Sequence, residues 1–502
     1  MLYSNTIPAK NNQIIPVFYD GRPMHSKYDP LREAENFVQT IKKSDFFVVA
    51  GIGAGYHIKK ISEKFPESII LAVENSNLEL DFLRKNISEI KTIENQKNIY
   101  FSTLTDFPEK LKNLYVPAVY DKINLVEHKA WSTANSENYS RLVELFKNSI
   151  RDISSDFSTQ AHFGKLWTRN ILQNLKHINN EKKFNFPINK TALIVAAGPS
   201  LDNFLHNHLE KLNEYYIIAT DTAHKILTRN KIIPDAVFSV DGQSISTNHF
   251  SNDFSDKSNN IIYIFELTAN HSVVKKICNK TKNYIFTFSS HPLEVFAANF
   301  SKDSLIHIDS KSGTVTIAAI DFAKSAGFSK IVVAGADFAY SNGKSYAKGS
   351  YLDDLYLKDQ YKTHNQETSY SQLMYRTKLT KIDQTKYTTE TLNSYRIALE
   401  TWLKNNNYDA DFFDNCYHLS AKITDKKNAI VIKTFNYSSF VNTINSVYSD
   451  NHTIDKANLK ISDIILLPVI AYLKKRDMEL SGNLKFFEEY VKLARNFILR
   501  YT

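Results

Sequence analysis

The sequence predicts an α/β protein with two mostly parallel sheets and a helical tail. Three observations predict it. Short apolar runs end repeatedly in a polar residue and alternate with segments of helical period. Two of these runs break at glycine turns, Gly51-Ile52-Gly53-Ala54-Gly55 and Gly198-Pro199-Ser200, each leading into a helix-like stretch. From about residue 431 the pattern is helical. A chain of 502 residues exceeds one compact core. Four parts are therefore read: a small Rossmann-like domain over 1–150, a helical linker over 151–190, a larger Rossmann-like domain over 191–430 and a C-terminal helical domain over 431–502.

Composition narrows the function classes. The net charge is +9, but Lys and Arg are scattered, so a solvated surface is expected rather than a nucleic-acid partner. The two cysteines, Cys278 and Cys416, form neither a disulfide framework nor a zinc motif, and fit a reducing compartment. The N-terminal MLYSNTIPAKNNQ has no apolar signal core. The apolar run Ile464–Leu473 is too short to span a bilayer and holds Pro468. A soluble, cytoplasmic protein without a membrane partner is expected.

In the first domain, Asp45–Ala50 reads as a strand, the glycine turn follows, then a helix, and a second strand, Ser68–Val73, ends at Glu74. An acid at that place is suited to a ribose hydroxyl. The spacing resembles the nucleotide-binding turn of S-adenosylmethionine-dependent methyltransferases, yet no proline-rich catalytic loop follows. The same glycines also serve where only a tight turn and close packing are needed. In the linker, Phe163, Leu166, Trp167, Ile171, Leu172 and Leu175 recur at helical spacing.

The central domain is organised around Thr191–Leu201, a buried strand, a glycine turn and a helix start that offers free N–H groups to an anion. Further strands end at Asp221, Asp241, Glu266, Ser289 and Asp337. In parallel sheets ligands bind outside the carboxyl ends of strands. Gly198, Ser200, Asp221, Asp241 and Ser289 are thus expected along one edge. Ser312-Gly313-Thr314 opens a helix with Val315, Ala319, Phe322, Ala323 and Ala326 on one face and Gly327 as its stop. Its order, Lys-Ser-Gly-Thr, is not that of a Walker loop. Asp241 and Asp337 are single acids on separate strands, so strand-end capping is expected and no metal. Tyr340–Tyr346 reads as a mobile polar loop.

The ordered set AAGPSL, ATDTA, PDAVFSVDG, SGT with its helix, and VVAGADFAYSNGKSYA resembles the Maf (motility-associated factor) glycosyltransferases, relatives of the Campylobacter-type bacterial sialyltransferases, over residues 191–420. The first domain's GIGAGYH is similar to the Maf N-terminal domain. The resemblance implies a sialyltransferase-like central domain that transfers a nonulosonic acid, of pseudaminic or legionaminic type, from a CMP-activated donor to Ser or Thr of flagellin, with no cofactor. It places Gly198, Pro199, Ser200, Leu201 and Asp221 at the nucleotide, and Ser312, Gly313 and Thr314 at the donor's phosphate or carboxylate. Asp241 and Ser289 join this donor edge. It also implies Tyr340 and Tyr346, after the Gly-Ala-Asp337-Phe motif, as catalytic donors to the leaving phosphate, Tyr340 being displaced by one residue. Asp337 is taken with them, since an Asp is able to act as base. The relatives' histidine base has no counterpart in Lys386–Leu392, and His364 is the nearest candidate.

In the tail, Phe486, Phe487, Tyr490, Val491, Leu493 and Ala494 form an apolar face, read as packing on the catalytic domain or as a docking surface for a protein acceptor. Two other functions share the central motif: an ATP- and Mg²⁺-dependent hydroxymethylpterin diphosphokinase-like enzyme, and a non-catalytic binding or chaperone protein for flagellin.

Overall fold

A computed structural model describes residues 2–178, 181–250, 260–300, 303–309, 313–422, 429–449, 454–482 and 484–502. The chain divides into two compact units, Met1–Lys165 with His452–Arg495, and Leu166–Asn451 with Asn496–Thr502. This differs from the four parts read along the sequence. A helix, Ser136–Asn174, runs through the linker, and the tail is shared between the units.

In the first unit, four parallel strands lie in the order Ile99–Thr103, Ile69–Glu74, Phe46–Ala50, Ile123–Glu127. Strands covered on both faces need apolar residues on both, and every residue of Phe46–Ala50 and Ile69–Glu74 is buried. A hairpin of Tyr3–Pro8 and Ile14–Phe18 precedes the sheet. The helix Pro30–Gln39 starts at Asp29, whose side chain accepts from the Arg32 N–H. The tail closes the unit: Lys474 pairs with Asp121 at 2.8 Å, and the Tyr100 hydroxyl donates to the Ala457 carbonyl at 3.2 Å. Gly164 has no Cβ because the Pro468 carbonyl fills that space. The helix Leu467–Ser481 that carries Pro468 therefore lies tight against the long helix.

The glycine turn of this unit is filled by protein. A Cβ on Gly51 would meet Trp131, and one on Gly53 would meet Met24 and His25, each inside 3.0 Å. Glu74 is fully buried and accepts from Trp131 Nε1 at 2.6 Å, the Tyr3 hydroxyl at 2.9 Å, and the Ile52 and Asn75 N–H groups at 3.2 Å. Here the glycines serve close packing, and the acid suited to a ribose is spent on its own unit.

In the second unit a nine-stranded sheet runs Ile306–His307, Tyr284–Phe288, Ile262–Glu266, Ala236–Ser239, Tyr215–Thr220, Thr191–Val195, Lys330–Ala334, Cys416–Ala421, Tyr408–Phe413. The first seven are parallel; Cys416–Ala421 runs antiparallel to them, and Tyr408–Phe413 runs antiparallel to Cys416–Ala421 in turn. From Thr191–Val195 the chain builds outward on one side, then returns to place Lys330–Ala334 on the other. In parallel sheets such a reversal marks the crevice where ligands bind, outside the carboxyl ends of the two strands. The helix Val315–Ser325 is buried on every side from Thr316 to Ala323, not on one face alone. Asp321 inside it accepts from Trp402 Nε1 at 3.2 Å and from the Asp309 N–H at 2.9 Å. Ala429–Ile432 is a strand paired with Lys182–Asn185, where a helix-like start was expected. Asn170 Nδ2 donates to the Gly242 and Thr268 carbonyls, and Asn174 Nδ2 to those of Leu267 and Ala269, fixing the loops beyond two strands. Cys278 and Cys416 are buried and free. Among the described residues no helix is long and apolar enough to cross a membrane.

Burial pushes the Glu74 carboxyl up to about 7, from an ordinary 4.5, although four groups donate to it. The folded state then holds a proton that the unfolded chain releases, so this group's contribution to stability falls as pH rises from about 4.5 to about 7. Glu74→Gln keeps an acceptor and does not titrate. Its stability relative to wild type is expected to climb by roughly 2–3 kcal/mol across that window, read from denaturation midpoints of both proteins at several pH values. A flat difference would show that Glu74 does not titrate there.

Candidate functional site

The crevice is built on two glycine turns in mutual contact. The Ala196 N–H donates to the Ala334 carbonyl at 2.9 Å, and the Gly198 N–H to the Gly335 carbonyl at 2.8 Å. A Cβ on Gly198 would strike the Gly335 carbonyl and Asp337 Oδ2; one on Gly335 would strike the Ala196 carbonyl. Gly335 also has φ +72°, a conformation that other residues adopt only with strain. Glycine is thus required on both sides.

Asp337 lies across the start of the helix Leu201–His208. Its Oδ2 accepts from the Ser200 N–H at 3.1 Å and the Ser200 hydroxyl at 2.9 Å. The side chain that meets this helix start is an acid 137 residues further along the chain, while Ser200 makes no capping bond of its own. Leu201 is fully buried under the turn, whereas Gly198, Pro199 and Ser200 are half-exposed at the edge. The Ala347 N–H donates to the Ala197 carbonyl at 2.9 Å and ties the tyrosine-bearing loop onto the same turn.

Beside the turn, Asp221 begins the helix Asp221–Arg229 and is buried. Its Oδ2 accepts from Ser239 Oγ at 2.8 Å and its Oδ1 from the Thr222 N–H at 2.7 Å. Burial nonetheless raises its pKa, against the pull of His249. Asp241, half-buried, accepts from the Gln243 N–H at 2.9 Å. His249 sits on the short helix Ser244–Phe250 that follows. Its ring meets the Tyr351 ring edge-on at 4.7 Å, and its buried Nδ1 has no hydrogen-bond partner among the described residues. Burial lowers its pKa while Asp221 and Asp241 oppose that, so the imidazole is uncharged at neutral pH.

Tyr351 opens the helix Tyr351–Lys358. Asp354 of that helix pairs with Lys225 at 2.5 Å and with Arg229, both on the Asp221 helix. Two helices are so pinned with Tyr351 above the acids. Tyr346 lies 6.4 Å from the Tyr351 ring, and its hydroxyl is raised by burial and by its neighbours Tyr351, Tyr340, Asp221 and Tyr395. Tyr395, on the helix Glu390–Asn405, borders Gly313.

The structure thus brings Gly198, Pro199, Ser200 and Leu201 to Asp337, and Asp221 to Asp241 and Tyr346, with Tyr340 beside Tyr346. Tyr340 is half-buried in a short strand paired with Tyr387. Ser289 stands at the same sheet edge, where its hydroxyl donates to Glu266 at 2.5 Å and its N–H to Glu294 at 2.9 Å. The Thr314 hydroxyl accepts from the Thr316 N–H and caps its own helix. Ser312 lies outside the described residues. His364 stacks on Tyr361 at 5.3 Å and its Nε2 pairs with Ser369 Oγ at 2.9 Å. Sequence reasoning missed His249, Tyr351 and Tyr395. None falls in a spaced motif, and each enters the site through packing of a separate helix.

The family model described as 6-hydroxymethylpterin diphosphokinase MptE-like matches residues 167–343. A Treponema pallidum protein named only as uncharacterised is 31% identical over 140 residues, spanning 28% of this chain and 67% of that protein. A second treponemal protein, likewise uncharacterised, is 36% identical over 137 residues, which span 26% of this chain and 48% of that protein. Among solved structures, a Maf glycosyltransferase from Magnetospirillum magneticum AMB-1 is 13% identical, with a TM-score of 0.55 over 99% of this chain and 91% of that one. The fold is therefore Maf-like.

The two turns set a local test. Gly335→Ala forces a left-handed alanine against the Ala196 carbonyl and is expected to cost about 2–4 kcal/mol, read as a lowered denaturation midpoint. A neutral substitution would show that the turns separate easily.

Proposed function

We propose a function from the site itself, since the chain belongs to one family with the first treponemal protein and that protein's name states no activity. The chain is a glycosyltransferase that uses a CMP-activated nonulosonic acid, of pseudaminic or legionaminic type, and glycosylates Ser or Thr of flagellin in the cytoplasm, without a cofactor. One observation carries the reading: an uncharged histidine with a free ring nitrogen, His249, shares the crevice with Asp221, Asp241 and the hydroxyls of Tyr346 and Tyr351. The Maf-like fold and the ordered motifs support it.

The chemistry follows from these groups. The bond between the sugar's anomeric carbon and the CMP phosphate breaks with oxocarbenium character, and the electron pair leaves with the phosphate. Tyr346 and Tyr351 are both held protonated by burial, so each keeps a hydroxyl hydrogen to donate to that growing charge. The acceptor's hydroxyl oxygen forms the new bond to the anomeric carbon, and its proton passes to His249. Asp221 and Asp241 stabilise the imidazolium that results, as their opposing pull on its pKa indicates. Tyr340 contributes to the tyrosine cluster, and the Gly198 turn with Asp337 holds the floor of the crevice.

A second reading is favoured by the family-model match, which covers Gly198, Asp221, Asp241 and His249 of the crevice within residues 167–343. A pterin diphosphokinase would take ATP with Mg²⁺ on Asp221 and Asp241. Melting temperatures with CMP, and separately with ATP and Mg²⁺, divide the two. A ligand of the folded state at a hundredfold excess over its Kd adds about 2.7 kcal/mol. Stabilisation by CMP alone is expected; stabilisation by ATP–Mg²⁺ alone reverses the order of the readings, and no shift with either favours a binding protein.

Within the transferase reading, His249→Gln is expected to lower turnover by about 10²–10⁴-fold while leaving the CMP-induced shift in place. Tyr346→Phe is expected to lower turnover by more than it weakens the donor, measured as kcat against donor Kd. Wild-type turnover in either variant removes that residue from the chemistry.

A further inference from the structure

The first sheet carries a second constellation, made of residues that the proposed transferase chemistry does not use. Its strand order also reverses, between Phe46–Ala50 and Ile123–Glu127, so it too has a crevice at the carboxyl ends of two neighbouring strands. A cavity of about 500 Å³ opens there, walled in part by His25, Glu33, His57, Glu127, His128 and Lys129. His57 belongs to the helix after the glycine turn, His128 follows the Ile123–Glu127 strand, and His25 precedes the first helix. All three imidazoles are buried.

One nitrogen of each ring lies within 4.8 Å of one nitrogen of each of the others. The ring centroids stand 4.7 Å apart for His57 and His128, 5.0 Å for His25 and His128, and 5.7 Å for His25 and His57. Among the described residues no hydrogen bond joins one of these rings to another. Nδ1 of His57 and Nδ1 of His128 are buried without a hydrogen-bond partner among the described residues. Native interiors rarely strand polar atoms so.

The bonds that do exist orient the lone pairs. His57 Nε2 lies 3.0 Å from the Gly51 carbonyl, which fixes the proton on Nε2 and leaves Nδ1 as a bare donor. His25 Nε2 accepts from the Ala54 N–H at 3.0 Å, so its proton is on Nδ1, which faces Glu33 Oε2 at 3.6 Å. A backbone carbonyl behind one imidazole and a carboxylate behind another are the outer partners that metal-bound histidines keep.

We propose that His25, His57 and His128 bind a divalent transition-metal ion of borderline softness, Zn²⁺ above all, with one coordination position left open to the cavity. His57 and His128 offer Nδ1. His25 exchanges the Ala54 N–H for the ion at Nε2 and keeps its Nδ1–H toward Glu33. A tetrahedral ion with bonds of about 2.0–2.1 Å holds its nitrogens roughly 3.3 Å apart, so the rings close by small side-chain rotations. Three neutral nitrogen ligands select Zn²⁺, Co²⁺ or Ni²⁺ over Mg²⁺ or Ca²⁺, which prefer oxygen. The open position, beside Lys129, suits a water or a small anion.

The test uses the full chain, stripped with a chelator and titrated with Zn²⁺ and with Co²⁺. One ion per chain is expected, with the intensified visible absorption of tetrahedral Co²⁺. His57→Ala and His128→Ala are each expected to weaken binding by more than about 100-fold, and Glu33→Gln, a positioning residue, by about 10–100-fold. His249→Ala and His364→Ala are expected to bind as wild type does. Absence of binding by the wild-type chain overturns the site whatever the variants do. So does binding that survives in folded His57→Ala and His128→Ala, or that is lost in His249→Ala instead. Should both buried-histidine variants fail to fold, the half-exposed Glu33→Gln decides: unchanged affinity and spectrum overturn the assignment.

Discussion

The close approach of the Gly198 turn to the Gly335 turn is the constraint on which the second unit's crevice depends. Two adjacent parallel strands, Thr191–Val195 and Lys330–Ala334, leave the sheet side by side, and their loops share hydrogen bonds at 2.9 and 2.8 Å. No side chain fits between them. Because the loops touch, Asp337 reaches the start of the Leu201–His208 helix, and Ala347 can bind the Ala197 carbonyl. That contact sets the tyrosine loop over the neighbouring strand ends. The positions of Tyr346 and Tyr351 descend from a backbone contact that excludes a Cβ.

Burial then sets the protonation states. His249 is kept uncharged with two acids beside it, and the tyrosines are kept protonated. The Asp354 pairs with Lys225 and Arg229 join the helix of Tyr351 to that of Asp221, and Asn170 and Asn174 anchor the loops after two strands. Asp221, His249 and Tyr351 thus stand on helices fixed to their neighbours, while Tyr346 is held by the loop that binds the Ala197 carbonyl.

One local pattern has two outcomes in this chain. A strand, a glycine turn and a helix occur in both units. In the second the turn is half-exposed and faces a crevice. In the first, Trp131, Met24 and His25 fill the space beside the glycines, and Glu74 is buried among donors from its own unit. Glycine permits close approach without deciding what approaches. Beside that filled turn the cavity is lined instead by three histidines separated by 32 and 71 positions in the chain, too distant to form a spaced metal motif.

The sequence by itself determined the strands and helices and the edge along which the polar groups stand. Apolar runs such as Phe46–Ala50, Tyr215–Thr220 and Lys330–Ala334 match the strands, because a strand buried on both faces must be apolar throughout. Gly198, Asp221, Asp241 and Asp337 were legible because strand ends in parallel sheets are where polar residues gather. Only the tertiary structure decided which of them meet. Ser289 turned to Glu266, Thr314 to its own helix, and Asp337 to Ser200, since each buried polar atom takes the nearest partner that packing supplies. His249, Tyr351 and the three-histidine cluster came from segments with no local signal. The return of residues 452–495 to the first unit is of the same kind. Such contacts join positions far apart in the chain, and local period and turn chemistry carry no record of them.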